Sequence, residues 1–232
     1  MKNIIITGAS RGIGKEVAVK FLLDTDNCVF LISRNKDLLY RLTDEVGSAK
    51  DRFFPIPFDL VSGDYNNLVD EVTTIAGSID ILINNAGALV NKQFSEISIE
   101  EFNQVMDTNF KAPFLLIKQL LPYFNKGAHI VNITSMGGFQ GSVKFPGLSI
   151  YSASKGALNT LTECLALEFE TSNISVNSLA LGSVNTPMLE SAFPGYISKT
   201  SSSSIAEYIT WFALNANKWM NGKIIPVALS VP

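Results

Sequence analysis

The sequence of 232 residues contains one histidine and two cysteines, and this scarcity excludes several kinds of site. A structural zinc site needs four ligands, mostly Cys or His, which these three residues cannot supply, so we predict no metal site. Cys28 and Cys164 lie in apolar runs, where buried free thiols are commoner than a disulfide. His129 opens a strand-like run, and roughly 20 Å of extended chain would separate it from Ser135, so no Ser/His/Asp triad is expected.

Charged residues are also few, at 17% of the chain against about a quarter in an average soluble domain. The formal net charge of −3 gives no general positive field that would attract a nucleic acid. Apolar runs are far shorter than the roughly eighteen residues of a membrane-spanning helix. The N-terminus enters a strand-like run without the basic and apolar leader of a secreted protein. We therefore expect a cytoplasmic protein with neither a nucleic-acid nor a membrane partner.

Hydrophobic residues make up 47% of the chain, and many lie in short β-branched or aromatic runs between amphipathic stretches. The runs predict seven strands: Asn3–Thr7, Cys28–Ser33, Phe53–Phe58, Asp80–Asn84, His129–Ser135, Ser175–Leu181 and Lys223–Leu229. The amphipathic stretches predict helices at Gly14–Leu23, Lys36–Val46, Tyr65–Ile75, Glu100–Phe124, Tyr151–Phe169 and Ile205–Leu214. Ser98 and Ser204 each begin a stretch with capping-box spacing.

Alternating strands and helices, with near-continuously apolar strands, are typical of a parallel sheet that helices cover on both faces. The sequence therefore predicts a single α/β domain over residues 1–232, doubly wound (Rossmann-type), with a seven-stranded parallel sheet. Ligands of such sheets bind beyond the carboxyl ends of the strands. The residues that follow each strand are thus the candidates for chemistry.

A glycine-rich turn follows the first strand, reading Thr-Gly-Ala-Ser-Arg-Gly-Ile-Gly over residues 7–14. Its backbone N–H groups and the following helix N-terminus can bind a pyrophosphate. Because its spacing differs from the G-x-G-x-x-G fingerprint, the turn alone is also compatible with a purely structural role.

Further motifs follow in order along the chain. Asn-Asn-Ala-Gly occupies 84–87, Asn109 lies in the next predicted helix, Ser135 ends the fifth strand, and Tyr-Ser-Ala-Ser-Lys occupies 151–155. With the glycine-rich turn, these motifs make the chain resemble the short-chain dehydrogenase/reductase family over nearly its whole length.

The resemblance implies a nicotinamide-dependent oxidoreductase in which Asn109, Ser135, Tyr151 and Lys155 are catalytic. It also implies that the cofactor is bound by Tyr151 and Lys155 together with residues that follow the strands, namely Gly8, Ser10, Arg11, Gly12, Ile13, Gly14, Ser33, Arg34, Asp59, Leu60, Asn85, Ala86, Gly87, Gly182, Val184 and Thr186. Other interpretations stay open for some of them, because an Asp after a strand is often only a helix cap and Asn-Ala-Gly can be an ordinary turn.

Tyr151 and Lys155 are four residues apart on a predicted helix, so they share one face with β-carbons about 6 Å apart. The lysine charge, together with an oxidised nicotinamide ring, can lower the tyrosine pKa from about 10 toward about 7. Tyr151 would then be the acid in reduction and the base in oxidation, while Ser135 donates to the substrate oxygen. By resemblance, Asn109 helps to hold a water relay to Lys155. The alternative is an exposed helix start beside an unrelated strand-end hydroxyl.

The end of the second strand predicts which dinucleotide is bound. An NAD site usually has Asp or Glu about twenty residues after the glycine-rich turn, whereas this chain has Ser33 followed by Arg34. Arg11 and Arg34 can converge on a 2′-phosphate, which favours NADP(H). Otherwise the two arginines are solvated surface charges.

Several departures from the family affect the substrate side. Leu181 replaces the usual proline before Gly182, and Tyr151 lies 16 positions after Ser135, a few more than usual, which enlarges the loop beside the substrate. The segment 187–204 is shorter than the usual substrate lid.

The apolar residues of segment 187–204, Phe193 among them, are predicted to cover a substrate, with Phe139 and Phe145 as opposite walls. The alternative for this segment is an ordinary surface loop that packs on a neighbouring subunit.

We expect an NADP(H)-dependent oxidoreductase that interconverts a carbonyl compound and a secondary alcohol by hydride transfer. The alternatives are a 3-oxoacyl carrier-protein reductase and a non-catalytic nucleotide-binding redox sensor or scaffold. The expected partners are a small-molecule substrate and further copies of the chain, as a homodimer or homotetramer paired through the Tyr151–Phe169 helix. Nothing in the sequence identifies the substrate.

Overall fold

The structure, a computed structural model, describes residues 1–24 and 26–229. Residue 25 and residues 230–232 of the expected 1–232 domain lie outside this part. The strands are β1 (Asn3–Thr7), β2 (Cys28–Ser33), β3 (Phe53–Pro57), β4 (Ile79–Asn84), β5 (Phe124–Ser135), β6 (Ser175–Leu181) and β7 (Ile224–Val227). The helices are α1 (Gly12–Asp24), α2 (Lys36–Val46), α3 (Tyr65–Ala76), α4 (Ile99–Met106), α5 (Ala112–Leu120), α6 (Ser149–Glu168), α7 (Pro187–Ala192) and α8 (Ser202–Asn215).

All seven strands form one parallel sheet in the order β3-β2-β1-β4-β5-β6-β7. Side chains alternate between the two faces, and both faces are buried. Ile4 and Ile6 of β1 pack with α1 and α8, whereas Ile5 packs with α3 and α5 on the other face. The strands are therefore apolar at nearly every position, as burial on both faces requires. The predicted fold class is confirmed.

The chain changes winding direction at β1, because β2 lies on one side of it and β4 on the other. A crevice opens beyond the carboxyl ends of strands at such a switch point. The Thr7 hydroxyl at the end of β1 accepts hydrogen bonds from the backbone N–H groups of Asn85 and Ala86, both at 3.0 Å. This side chain fixes the loop after β4 against the glycine-rich turn after β1.

The predicted helix Glu100–Phe124 is interrupted. A π-helical turn, Asp107–Lys111, separates α4 from α5. Pro113, in the first turn of α5, has no N–H and cannot donate the usual i+4 hydrogen bond to the carbonyl of Asn109. The wider turn satisfies the neighbouring groups instead, and it leaves the Asn109 carbonyl without that partner.

Two strand boundaries also differ from the predictions. β5 begins at Phe124 rather than at His129, because Phe124 pairs with Ile79 before a register shift in β4. β7 is shorter than the predicted Lys223–Leu229. The remaining predicted strands agree with the structure within one residue at each end.

One of the two predicted capping boxes is confirmed. The Ser98 hydroxyl accepts from the Glu101 N–H at 3.2 Å, and the Glu101 carboxylate accepts from the Ser98 N–H at 3.0 Å. The box predicted at Ser204 is wrong. Ser201 caps α8 instead, accepting from the Ser204 N–H at 3.1 Å, so the helix begins three residues earlier than predicted.

Cys28 is half-buried and Cys164 is exposed on the outer face of α6, and both thiols are free. The expectation that Cys164 is buried was therefore wrong. Neighbouring residues of the same helix, such as Thr162 and Leu165, are buried, and Cys164 is not among them. Within residues 1–24 and 26–229, no cluster of His, Cys, Asp or Glu is arranged to hold a metal ion. No helix in the same ranges is long and apolar enough to span a bilayer.

Candidate active site

Residues that follow all seven strands line one cavity of about 860 Å³. Most of the predicted site residues lie in this lining, namely Gly8, Ser10, Arg11, Gly12, Ile13, Ser33, Arg34, Asp59, Leu60, Asn85, Ala86, Gly87, Ser135, Tyr151, Lys155, Gly182, Val184 and Thr186. Gly14 and Asn109 do not line it and lie behind its wall.

The glycine-rich turn requires glycine for two separate reasons. Gly8 and Gly12 have φ values of +67° and +56°, in the left-handed region that other residues rarely adopt. Position 14 needs glycine because the backbone of the turn packs closely against it: a Cβ there would lie 2.4 Å from the Gly8 carbonyl oxygen. The turn thereby brings the N-terminus of α1 to the cavity wall, where free N–H groups and the helix dipole favour an anion.

Ser33 and Arg34 lie at the rim of the cavity beside Ser10 and Arg11. The Ser33 hydroxyl donates to the Ser10 hydroxyl at 2.8 Å, which joins the end of β2 to the glycine-rich turn. Both arginines are exposed, and neither forms an ion pair with a carboxylate of the described ranges. Two guanidinium groups are thus available to a ligand at this end.

Asp59 follows β3, and its carboxylate accepts from the Val61 N–H at 2.9 Å. It does not cap α3, because Asp64 does so by accepting from the Asn66 N–H at 2.9 Å. Asp59 therefore closes a short turn that leads along the cavity.

The Asn85 amide supports the glycine-rich turn from the neighbouring strand. Its Nδ2 donates to the carbonyls of Thr7 at 3.0 Å and Gly8 at 3.3 Å. The side chain thus binds protein backbone, and the faces of Ala86 and Gly87 remain open to the cavity.

Asn109, at the centre of the π-helical turn, is completely buried and fully bonded through its side chain. Its Oδ1 accepts from the Ala88 N–H at 2.7 Å, and its Nδ2 donates to the Ala88 carbonyl and the Ser154 hydroxyl, both at 2.9 Å. Ser154 in turn donates to the Tyr151 carbonyl at 2.7 Å. Asn109 and Ser154 therefore connect the loop after β4 to the start of α6.

Lys155 is buried, and its Nζ donates to the Ile133 carbonyl at 2.9 Å. The Nζ lies 5.9 Å from the centre of the Tyr151 ring. Burial lowers the pKa of Lys155 from 10.5 to about 8. A Cβ on Gly87 would lie 3.7 Å from this Nζ and 3.5 Å from Asn109 Oδ1, so the absence of a side chain at Gly87 leaves space between Lys155 and Asn109.

The pKa of Tyr151 is raised above its usual 10 by burial, while its hydrogen bond with Ser135 acts in the opposite direction. In the protein chain alone, burial therefore has the larger effect on this pKa, and the lowering expected from Lys155 together with an oxidised nicotinamide ring stays a prediction. Ser135 Oγ also accepts from the Gly137 N–H at 3.1 Å, which orients the hydroxyl toward the start of the next loop.

The opposite side of the cavity is apolar. Lid residues that line it are Met188, Leu189, Phe193, Tyr196 and Ile197, and the facing residues are Leu89, Met136, Phe145 and Leu148. The Thr186 hydroxyl caps α7 by accepting from the Leu189 N–H at 3.2 Å. Phe145 lines this cavity as predicted, but Phe139 does not, because it lines a second, neighbouring cavity instead.

Hydrogen bonds that sequence reasoning missed tie the base of the lid together. Asn185 and Ser198 exchange two of them, from Asn185 Nδ2 to the Ser198 carbonyl at 2.7 Å and from the Ser198 N–H to Asn185 Oδ1 at 2.6 Å. Asn91, after β4, donates to the Ala192 carbonyl at 2.9 Å. The lid is thus a loop with closed ends, held at one further point by the facing loop.

The sheet order, the glycine-rich turn and the Tyr151–Lys155 pair define a dinucleotide-binding α/β oxidoreductase. The chain matches the family model for short chain dehydrogenase over residues 2–196, and it belongs to that family. It is 30% identical over 232 residues to an uncharacterized oxidoreductase of Staphylococcus aureus strain N315, with 97% of this chain and 96% of the relative covered.

Two solved structures are similar over nearly the whole chain. A protein of Escherichia coli CFT073, in complex with NADPH, is 26% identical with a TM-score of 0.88, covering 97% of this chain and 95% of that one. A 3-ketoacyl-(acyl-carrier-protein) reductase of Brucella melitensis, in complex with NADH, is 25% identical with a TM-score of 0.87, covering 98% and 96%. Of these two similar structures, one thus contains NADPH and the other NADH.

Proposed function

We propose that the chain is an NADP(H)-dependent oxidoreductase that interconverts a carbonyl compound and a secondary alcohol, with Tyr151 as the general acid and base. One observation carries the proposal: Ser135, Tyr151 and Lys155 line the same cavity as the glycine-rich turn. A protein that only binds a nucleotide has no need of these three groups beside one another.

The residues fit a dinucleotide at three points. Gly8 and Gly12 leave the turn without side chains, and the α1 N-terminus suits a pyrophosphate. Arg11 and Arg34 suit a 2′-phosphate, and no carboxylate stands at the end of β2 to repel it. The chain is similar both to an NADPH-bound and to an NADH-bound structure. The proposed preference for NADP(H) over NAD(H) therefore depends on Arg11 and Arg34.

The cofactor, when bound, supplies or accepts the hydride. In reduction, the Tyr151 hydroxyl donates a proton to the substrate oxygen, and Ser135 donates a hydrogen bond to the same oxygen. Lys155, with a pKa of about 8, is mostly protonated near pH 7 and stabilises a tyrosinate beside it. Asn109, which lies beside Lys155 across the space left at Gly87, would help to hold a water molecule that returns a proton by way of Lys155.

A 3-oxoacyl carrier-protein reductase is the second candidate. The similarity to the Brucella melitensis reductase favours it. The two candidates differ in whether a simple ketone suffices or an acyl thioester is needed.

The test is NADPH oxidation, followed by absorbance, with a panel of ketones, aldehydes, diketones, sugars and acyl thioesters. We expect turnover of a simple carbonyl class. Turnover of acyl thioesters alone would favour the second candidate, and NADPH binding without consumption by any class would favour a sensor or scaffold.

We further propose that residues 1–232 form one dinucleotide-binding domain with a substrate lid at about 187–204, in the cytoplasm, assembled as a homodimer or homotetramer. Two free thiols support a reducing compartment. Exposed apolar side chains support the assembly: Ile99, Phe102, Phe114 and Leu167 lie on α4, α5 and α6. Leu158, Leu165 and Phe169 of the expected pairing helix are instead buried in the chain's own core.

A further inference from the structure

A second cavity, of about 780 Å³, lies directly beside the reaction cavity. Gly137, Phe145 and Leu148 line both cavities and form the partition between them. Gly137 is two residues from Ser135. The second cavity therefore begins next to the place where the substrate oxygen would lie.

The lining of the second cavity is mostly apolar and contains no Asp or Glu. Phe94 at its mouth is 83% exposed, and Phe145 is 52% exposed. Its one cation, Lys144, donates to the Phe139 carbonyl and the Ser142 hydroxyl, both at 2.6 Å. Because the loop itself engages this ammonium, the cavity offers apolar surface rather than a charge to a ligand.

The partition is held in place from outside. The Lys92 N–H donates to the Gly147 carbonyl at 3.1 Å, and Gly147 adopts a φ of +85°. A Cβ on Gly147 would lie 2.1 Å from Asn91 Oδ1, so the loop packs tightly on the segment after β4. The enlarged loop between Ser135 and Tyr151 thus has a defined position, and its extra residues build the wall of the second cavity.

We infer that the substrate carries an extended, uncharged apolar arm, which passes the partition at Phe145 and lies in the second cavity while its carbonyl carbon lies beside Ser135 and Tyr151. This inference rests on the proposed function. The arm, rather than a second copy of the chain, is the occupant because only Gly137, Phe145 and Leu148, which line both cavities, separate the second cavity from the reaction cavity.

The test measures kcat/KM for NADPH-dependent reduction of straight-chain 2-alkanones from butanone to dodecanone. We expect kcat/KM to rise about fourfold for each methylene that enters the second cavity, as burial of a methylene predicts. A keto acid of the same length, with its carboxylate at the far end, should be reduced at least tenfold less efficiently.

A Phe94→Ser variant removes apolar surface at the mouth of the second cavity without touching the reaction cavity. It should lower kcat/KM for the longest ketones by about tenfold and leave butanone unchanged. Tyr40→Ser, at an exposed aromatic on α2 outside both cavities, is the matched control and should change neither.

Equal kcat/KM across the ketone series, with butanone still reduced, overturns the inference and leaves the proposed function intact. No reduction of any ketone overturns the proposed function and the inference with it. A Phe94→Ser variant with a lower molecular mass in light scattering but an unchanged chain-length profile would assign the second cavity to a subunit contact, which also overturns the inference.

Discussion

Tyr151 and Lys155 are each driven toward the neutral form by burial, and this shared tendency determines how the pair works. Burial raises the pKa of Tyr151 and lowers that of Lys155 to about 8. A neutral tyrosine is a proton donor, so the resting pair is prepared for reduction. Oxidation needs the tyrosinate, which the Ser135 hydroxyl, a protonated Lys155 and an oxidised nicotinamide ring can stabilise together.

Tyr151→Phe should reduce turnover by at least about 10³-fold while NADPH affinity changes less than about twofold, because only the proton donor is removed. Initial rates and a fluorescence titration with NADPH measure the two effects. Tyr40→Phe, on α2, is the control. Turnover within tenfold of the wild type in Tyr151→Phe would show that another group donates the proton.

Arg34→Asp should shift the ratio of NADP(H) to NAD(H) affinity by at least about tenfold toward NAD(H), because a carboxylate repels the 2′-phosphate and accepts from a 2′-hydroxyl. Titrations with both reduced cofactors measure this ratio. Arg41→Asp, an exposed arginine of α2, makes the same charge change without a predicted effect. If the wild-type protein binds NADH as tightly as NADPH, the predicted preference for NADP(H) is wrong.

Most residues of the predicted site could be named from sequence because they belong to motifs that carry the family resemblance. Most of these motifs directly follow strands, and parallel strands end at one edge of the sheet. Ser154, Asn91 and Ser198 could not be predicted in this way. Their partners Asn109, Ala192 and Asn185 come from other segments, and only the packed structure brings them within hydrogen-bonding distance.

At the scale of elements, the interrupted helix around Asn109 had a signal in the sequence. Pro113 lies inside the predicted helix Glu100–Phe124, where a proline usually ends or kinks a helix. The apolar periodicity continues across it, so the pattern alone favoured one helix. The chain accommodates Pro113 through the π-helical turn, and the helix continues beyond it as α5.

The lid is the element with a predicted motion. Phe193→Ala should raise KM for a true substrate by about tenfold and leave NADPH affinity unchanged, since Phe193 belongs to the apolar lid that lines the cavity. Hydrogen exchange in 187–197 should slow when cofactor and substrate are both bound. The amides of Ser198 and Thr200, bonded at the lid base, should be protected throughout and serve as an internal control.

The lid hypothesis is wrong if amide hydrogen exchange in 187–197 is equally fast with and without both ligands and the kinetics of Phe193→Ala are unaltered. The segment would then be an ordinary connector.

At the scale of the whole molecule, the exposed Leu167 on α6 supports assembly. Light scattering at micromolar concentration should give two or four times the chain mass of 25.3 kDa. Leu167→Glu should lower that mass, because a carboxylate in an apolar interface is costly. Leu23→Glu, at an exposed leucine of α1, is the control. A monomeric wild-type protein would contradict the proposed assembly.

Acid stability should depend on His129, which is buried between β5 and α8. Its Nδ1 lies 3.0 Å from the Ala213 carbonyl and its Nε2 lies 3.0 Å from Asn177 Nδ2, and burial lowers its pKa from 6.5 to about 4. Between these two values the unfolded chain binds a proton that the folded chain does not, so folding free energy is lost as pH falls.

From pH 7 to pH 5 the His129 contribution should cost about 2 kcal/mol of unfolding free energy, measured by urea denaturation of the wild type against His129→Gln. Because the chain has one histidine, its ring also gives a single set of NMR signals, which should titrate near pH 4. A titration midpoint near 6.5 would contradict the burial argument.

The Thr7 hydroxyl acquires its hydrogen-bond partners late during synthesis of the chain. It receives its two N–H partners from Asn85 and Ala86, which leave the ribosome almost eighty residues after it. Until β4 is synthesised, β1 has a neighbour on one side only, and the glycine-rich turn lacks the Asn85 amide that braces it. A nascent chain shorter than about ninety residues therefore exposes an apolar strand edge, and its nucleotide-binding turn acquires its final shape only when the fourth strand has emerged.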